Sequence, residues 1–202
     1  MIDYVSTFIF FFAVIDPIGT VPVFLAVTGQ FNEKARRRIA LKATLVAAIV
    51  LLFFVVAGEV ILTAMAIPLS AFQIAGGIVL FLFALSMSFG ESKPEEEIKL
   101  ATSGSEKAIF PLAIPSIASP GAMLGAVLMT ENSRYSLMEQ AQTGTTMLAV
   151  LLIVFVLLLS ANWIHRVIGN SGASIISRVM GLILGSVATA NVLAGINEYF
   201  LL

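Results

Sequence analysis

Cysteine is absent from the 202 residues, so disulfides, thiolate metal sites and cysteine nucleophiles are excluded, and the redox compartment cannot be read. Charge is almost as scarce: charged residues make up 11% of the chain, whereas an ordinary soluble domain carries roughly a quarter. There is one histidine and no signature of nucleic-acid binding. What remains is apolar. At 59% hydrophobic residues, the chain has too little polar surface to cover itself in water. The start, Met1 to Ser6, has no basic region, and its apolar run meets Asp16-Pro17 instead of a small-residue cleavage site. A signal peptide is therefore not expected, and the first apolar segment is read as a membrane span.

A bilayer core of about 30 Å needs about 20 mostly apolar helical residues. That template predicts an all-α integral membrane protein with six spans, at 4–29, 39–65, 68–90, 108–130, 143–165 and 173–200. The expected connections are a basic loop around 32–38, a tight link at Ile67-Pro68, a charged loop at 91–107, and short polar loops at 131–140 and 166–172. Counting basic residues by side sets the expected orientation. The loops after spans 1, 3 and 5 hold Lys34, Arg36, Arg37, Arg38, Lys42, Lys93, Lys99, Lys107 and Arg166, while the opposite side holds only Arg134. Arg178 falls within span 6 and is left aside. This positive-inside bias places both termini outside the cytoplasm, in a cell (inner or plasma) membrane.

An odd number of spans before a second copy of one pattern inverts that copy in the membrane. Residues 1–100 and 101–202 show such self-similarity. Asp16-Pro17-Ile18-Gly19-Thr20 interrupts span 1, and Ser119-Pro120-Gly121-Ala122 interrupts span 4 about one hundred residues later. In span 3 the run from Gln73 to Gly77 aligns with the run from Arg178 to Leu182 in span 6. The expected architecture is two inverted three-helix repeats, 1–100 and 101–202, in a single membrane domain with spans 1 and 4 broken at mid-membrane.

Proline within a helix removes one N–H and frees the carbonyl four residues earlier, tolerable in a bilayer only where the backbone is buried in protein or lines a cavity. Pro17 and Pro22 would free the carbonyls of Ala13 and Ile18; Pro111, Pro115 and Pro120 would free those of Lys107, Pro111 and Ser116. Asp16-Pro17 and Ser119-Pro120 each read as an N-cap followed by proline at the first helical position, so each break starts a new half-helix. Spans 1 and 4 run in opposite directions, so the positive ends of the two half-helices would meet at mid-membrane and suit a carboxylate. Gly19 and Gly121 leave room for close approach. Asp16 lies roughly 18 Å into span 1 by helical rise, which makes it either a cap of its own half-helix or a partner for a substrate ammonium or coupling proton.

Other polar positions carry weaker signals. Glu59 reads as an interfacial acid, and Trp163 with His165 as an interfacial anchor. Thr20, Ser86, Ser116 and Asn191 either line a site or bond their own helix. The run from Pro94 to Glu97 reads as a solvated charge patch.

The two interruptions, 16–22 and 113–122, with the glycine patterns of spans 3 and 6 and the Gly58-Glu59 step, resemble the MarC family over nearly the whole chain. The resemblance implies a six-helix inner-membrane protein related to the LysE-type exporters, some members carrying small neutral amino acids such as glycine and alanine. Asp16, Pro17, Gly19, Pro120 and Gly121 match the pattern. Thr20, Gln73 and Ser119 stand where asparagine, arginine and glycine are more usual.

The expected function is secondary transport of small neutral amino acids of the glycine, alanine, serine and threonine class by alternating access, not catalysis. The expected substrate site is Asp16, Pro17, Ile18, Gly19, Thr20, Ser116, Ser119, Pro120, Gly121 and Ala122. Partners are a small zwitterionic amino acid and the lipid bilayer, with no nucleic acid, no cofactor and no metal; a coupling proton or sodium ion is open. The alternatives are an exporter or channel for another small metabolite, or a non-transporting membrane protein. An intramembrane hydrolase is disfavoured, because the only histidine sits at an interface and only one aspartate lies deep.

Overall fold

The computed structural model describes residues 4–89, 112–132 and 134–201. The expected loop 91–107, with Lys93, Lys99, Lys107 and the glutamates after Pro94, lies outside the described residues, as does the start of the fourth expected span with Pro111. All regular structure among the described residues is helical: α1 (Tyr4–Ile15), α2 (Thr20–Thr28), α3 (Glu33–Ala64), α4 (Leu69–Phe89), a wide single turn (Leu112–Ile117), α5 (Pro120–Leu128), α6 (Leu137–Leu159) and α7 (Ala161–Leu201). Among the described residues, five stretches are long and apolar enough to cross a membrane: Tyr4–Thr28, Glu33–Ala64, Leu69–Phe89, Leu137–Leu159 and Ser171–Phe200.

Caps set several boundaries away from the hydropathy reading. Helix α3 starts at Glu33, so the basic run expected in a loop forms its first turns. Asn32 is extended, and its side-chain oxygen accepts the Ala35 N–H at 2.9 Å. Helix α6 starts at Leu137 because Ser136 and Glu139 form a reciprocal capping box. The loop expected at 166–172 is reduced to a kink at Gly169, with helix on both sides of it. Helix α7 follows α6 after Ser160 and is interrupted only at Gly169, whose φ of 65° is accessible at low cost to glycine.

The Tyr4–Thr28 span forms the centre of the bundle: 72% of its apolar window is buried, against 22–39% for the other four. Around it the helices pair in a regular way. Helix α1 packs on α6 and α7, α5 packs on α3 and α4, α3 also meets α6, and α4 meets α7. The α4–α7 pair is the closest. A Cβ on Gly195 would lie 2.9 Å from the Ser70 carbonyl, one on Gly77 3.1 Å from the Ala188 carbonyl, and one on Gly181 2.9 Å from the Ala84 carbonyl. Small residues thus recur every seven positions on both helices, antiparallel, and bring the two backbones together as membrane helices do without a hydrophobic drive between them. The outer faces carry exposed Ile49, Phe53, Val56, Leu82, Leu152 and Leu182, as expected of surfaces solvated by lipid.

Candidate functional site

Helix α1 ends at Ile15 and α2 begins at Thr20, so the first interruption spans 16–19. It differs from the extended N-cap expected from sequence. Asp16 has a φ of 50°, the left-handed region that aspartate tolerates better than most residues. Its N–H still donates to the Phe12 carbonyl at 3.0 Å, so Asp16 also finishes the preceding helix. Its Oδ1 accepts the Gly19 N–H at 3.0 Å, and its backbone carbonyl accepts both the N–H of Thr20 at 3.1 Å and the Thr20 hydroxyl at 3.0 Å. The Ile18 carbonyl, which Pro22 would leave free in a regular helix, accepts from Val21 N–H at 3.2 Å.

The second interruption follows the sequence reading closely. Ser119 is extended (φ −71°, ψ 158°), Pro120 occupies the first turn of α5, and the Ser119 hydroxyl oxygen accepts the Ala122 N–H at 3.2 Å. Immediately before it, the Leu112–Ile117 turn contains the non-helical Ile114 and closes with Ala118 N–H donating to the Ala113 carbonyl.

The two interruptions are joined. The Ser119 hydroxyl donates to the Val14 carbonyl at 2.7 Å, supplying a partner to a carbonyl at the broken end of α1, and the Ser116 hydroxyl reaches Thr20 Oγ1 at 3.4 Å. A third element closes the group: the Ser177 hydroxyl of α7 donates to Asp16 Oδ2 at 2.6 Å, in the short range of an O–H on a carboxylate oxygen. Asp16 is 1% exposed, and Thr20, Ser116, Ser119 and Ser177 are fully buried. Of these four hydroxyl-bearing side chains, that of Ser177 bonds the carboxylate itself, that of Thr20 the Asp16 carbonyl, and those of Ser116 and Ser119 its neighbours Thr20 and Val14.

Of the expected site residues, Asp16, Gly19, Thr20, Ser116 and Ser119 form this cluster through the bonds above. Pro17, Gly121 and Ala122 are buried beside it, Ile18 is half-buried, and Pro120 lies at the surface. Each half-helix end carries a side-chain cap, the Ala122 N–H held by Ser119 and the Gly19 N–H by Asp16. A Cβ on Gly121 would lie 2.7 Å from Leu80 Cδ1 and 3.3 Å from Val14 Cγ1, so protein side chains fill that approach. The cluster is closed off from the surface. Ser177 is the member that sequence reasoning missed; its only signal is a serine in an apolar helix, 161 residues from Asp16. The weaker candidates fall elsewhere. Ser86 donates to its own helix at the Phe83 carbonyl, and Glu59 accepts the Asn132 N–H at 2.6 Å. Gln73 is buried in α4 with its Oε1 unpartnered.

The sequence profile described as "MarC family integral membrane protein" matches residues 1–200. A UPF0056 membrane protein of Buchnera aphidicola is 33% identical over 201 residues, covering 99% of each chain. One of Methanocaldococcus jannaschii is 36% identical, covering 96% of this chain and 95% of its own. The UPF0056 inner membrane protein YhgN of Escherichia coli is 35% identical, covering 98% of both. No solved structure matches.

Proposed function

The chain belongs to the MarC family of integral membrane proteins, and from that premise we propose that it is a secondary transporter of small neutral amino acids working by alternating access. The observation that carries the proposal is the joining of two interrupted helices around one buried acid: the Ser119–Val14 and Ser177–Asp16 bonds. Interrupted backbone and an ionisable side chain are costly in a bilayer and mark substrate or ion sites. In this reading the chain has six spans, in two inverted repeats at 1–100 and 101–202. The packing supports that symmetry, since α2, which follows the first break, meets α6 and α7 as α5, which follows the second, meets α3 and α4.

The substrate ammonium replaces the Ser177 hydroxyl on Asp16. The carboxylate takes the N–H groups of Gly121 and Ala122 once the Ser119 hydroxyl turns away from its cap, so binding exchanges internal hydrogen bonds for substrate ones. In this reading the cluster, once opened by that exchange, admits glycine, alanine, serine and threonine. Lysine and glutamate bring a second charge for which the cluster has no partner. A coupling proton or sodium ion enters at the same acid, and the protein is a carrier, not an enzyme.

Counterflow in proteoliposomes tests the proposal. A carrier concentrates labelled alanine against unlabelled alanine, whereas a channel only dissipates the gradient; dissipation without counterflow rejects the carrier reading. The proposed orientation puts both termini outside the cytoplasm. Cysteines introduced at positions 36 and 136 test it, since an impermeant thiol reagent on intact cells should label 136 and spare 36.

A further inference from the structure

A cleft of about 500 Å³ lies between α3 and α6, at the end of the bundle where α3 finishes. This volume is within the range of small-molecule pockets, roughly 300–1,000 Å³. It shares no lining residue with the Asp16 cluster and is divided in character. Its walls are apolar along Leu52, Val55, Val56 and Leu148, and one end is polar, with Glu59 from α3, Asn132 from the segment before α6 and Gln140 from the first turn of α6. Gly144 forms part of the floor, and a Cβ built there would meet nothing within 4 Å.

Among the described residues, Glu59 is the only charged side chain lining the cleft. Its Oε2 is fixed by the Asn132 N–H at 2.6 Å, and Asn132 is in turn held by the Gln140 amide at 2.9 Å. This carboxylate is therefore aimed by backbone and not by a basic partner, among the described residues. The neighbouring arginine is engaged elsewhere, since Arg134 pairs with Glu131 and Glu198. Glu59 sits five residues before the end of α3, roughly 8 Å from it by helical rise, the level at which lipid head groups meet a span. The cleft opens sideways through residues that face the bilayer: Val56 is 75% exposed and Leu137 81%.

We propose that this cleft binds an aminophospholipid, with its primary ammonium on Glu59 and the start of an acyl chain against Leu52, Val55, Val56 and Leu148. Charge complementarity selects the head group, because an acid without a basic partner favours a cation. Hydrogen bonding refines the choice: a primary ammonium donates to the carboxylate, whereas a quaternary one has no N–H to offer. The lateral opening selects a lipid over a water-soluble amine.

Native mass spectrometry of the purified full-length protein tests this, after exchange with phosphatidylethanolamine, phosphatidylcholine or phosphatidylglycerol of identical acyl chains. The wild type should retain phosphatidylethanolamine about tenfold better than phosphatidylcholine, the scale of one charged hydrogen bond. Glu59→Gln should erase that preference. Gly144→Leu should lower retention of every lipid by filling the floor, and both variants should keep the wild-type elution volume and melting temperature. Equal retention of the ethanolamine and choline lipids by the wild type, or an undiminished preference in Glu59→Gln, overturns the proposal. So does a protein dimer that excludes lipid from the cleft. If either variant is unfolded, Glu59→Asp gives the same reading, with a reduced preference supporting the proposal and an unchanged one overturning it. Alanine counterflow is measured separately, and its failure leaves the lipid result standing.

Discussion

At residues 16–19 the chain turns through a positive φ, and an acid binds its own backbone and a serine of α7. At 118–120 it passes through an extended serine whose neutral hydroxyl caps α5 and braces the end of α1. Both devices satisfy backbone groups that lipid cannot, but they differ in what holds them. The second is a standard helix start, stable by local chemistry. The first needs a residue in a sparsely populated conformation and a partner from another span, and such conformations persist where surrounding structure over-determines them. The difference suggests a division of roles: on substrate binding the Ser119 side gives up only its cap on Ala122 and keeps its brace on Val14, while the Asp16 side gives up the bond to another span that holds it in place.

The sharpest way to break this comparison is a methyl group at each glycine. A Cβ on Gly19 would fall on Asp16 Oδ2 and 2.5 Å from Ser177 Oγ, two short and mutually bonded side chains. One on Gly121 would mainly meet the far end of Leu80, which can rotate. Gly19→Ala should therefore abolish counterflow and cost about 1–3 kcal/mol of stability, the usual range for overpacking, with Gly121→Ala losing less than half as much in melting experiments. Equal losses would remove the asymmetry.

Asp16→Asn comes next. Asparagine keeps an acceptor for Gly19 N–H, and Ser177 can reverse its bond to accept from the new amide, so the fold should survive. Loss of the charge should weaken alanine binding by about 1–3 kcal/mol, the scale of a charged hydrogen bond. Calorimetry on the purified variant reads this, and unchanged affinity in a folded protein would reduce Asp16 to a cap. Ser119→Ala should act on stability, because it strips both Ala122 N–H and the Val14 carbonyl of a partner. A loss of about 1–2 kcal/mol is expected in denaturation, and no loss would mean that the brace is dispensable. Ser116→Ala should have the smallest effect, roughly 0.5 kcal/mol, since its bond to Thr20 is long at 3.4 Å; a larger loss would make the braced side as finely balanced as the acidic one.

Much of this was legible from residue order. The apolar runs mark the five stretches that are long and apolar enough to cross a membrane among the described residues, and Ser119-Pro120 announces the start of α5, because capping by serine and proline at the first turn are local effects. The boundaries of α3 and α6 were also open to local reading: Asn32 and the Ser136/Glu139 box are recognisable caps that hydropathy alone passes over. The conformation of Asp16 was not, since Asp-Pro fits an extended cap equally well, and the chosen alternative depends on Phe12, Gly19 and Ser177 together. Ser177 itself could not be found, because nothing local distinguishes a serine that bonds a distant carboxylate from one that bonds its own helix. The aligned glycines of spans 3 and 6 suggest duplication from sequence, while only the three-dimensional pairing reveals the seam in which Ser70, Gly77 and Ala84 face Gly195, Ala188 and Gly181.

The bond between Ser119 and Val14 also sets a timetable for assembly. The two residues are 105 positions apart, and at a synthesis rate of about 5–20 residues per second the serine is made roughly 5–20 s after the carbonyl it serves. Until then the first span enters the membrane with a break that its own sequence cannot complete. The nascent chain must keep that end hydrated, or shielded by the insertion machinery, through the synthesis of two further spans. A ribosome-bound chain truncated before residue 119 should therefore expose the 13–20 segment to water-soluble reagents, and one extended past α5 into α6 should not.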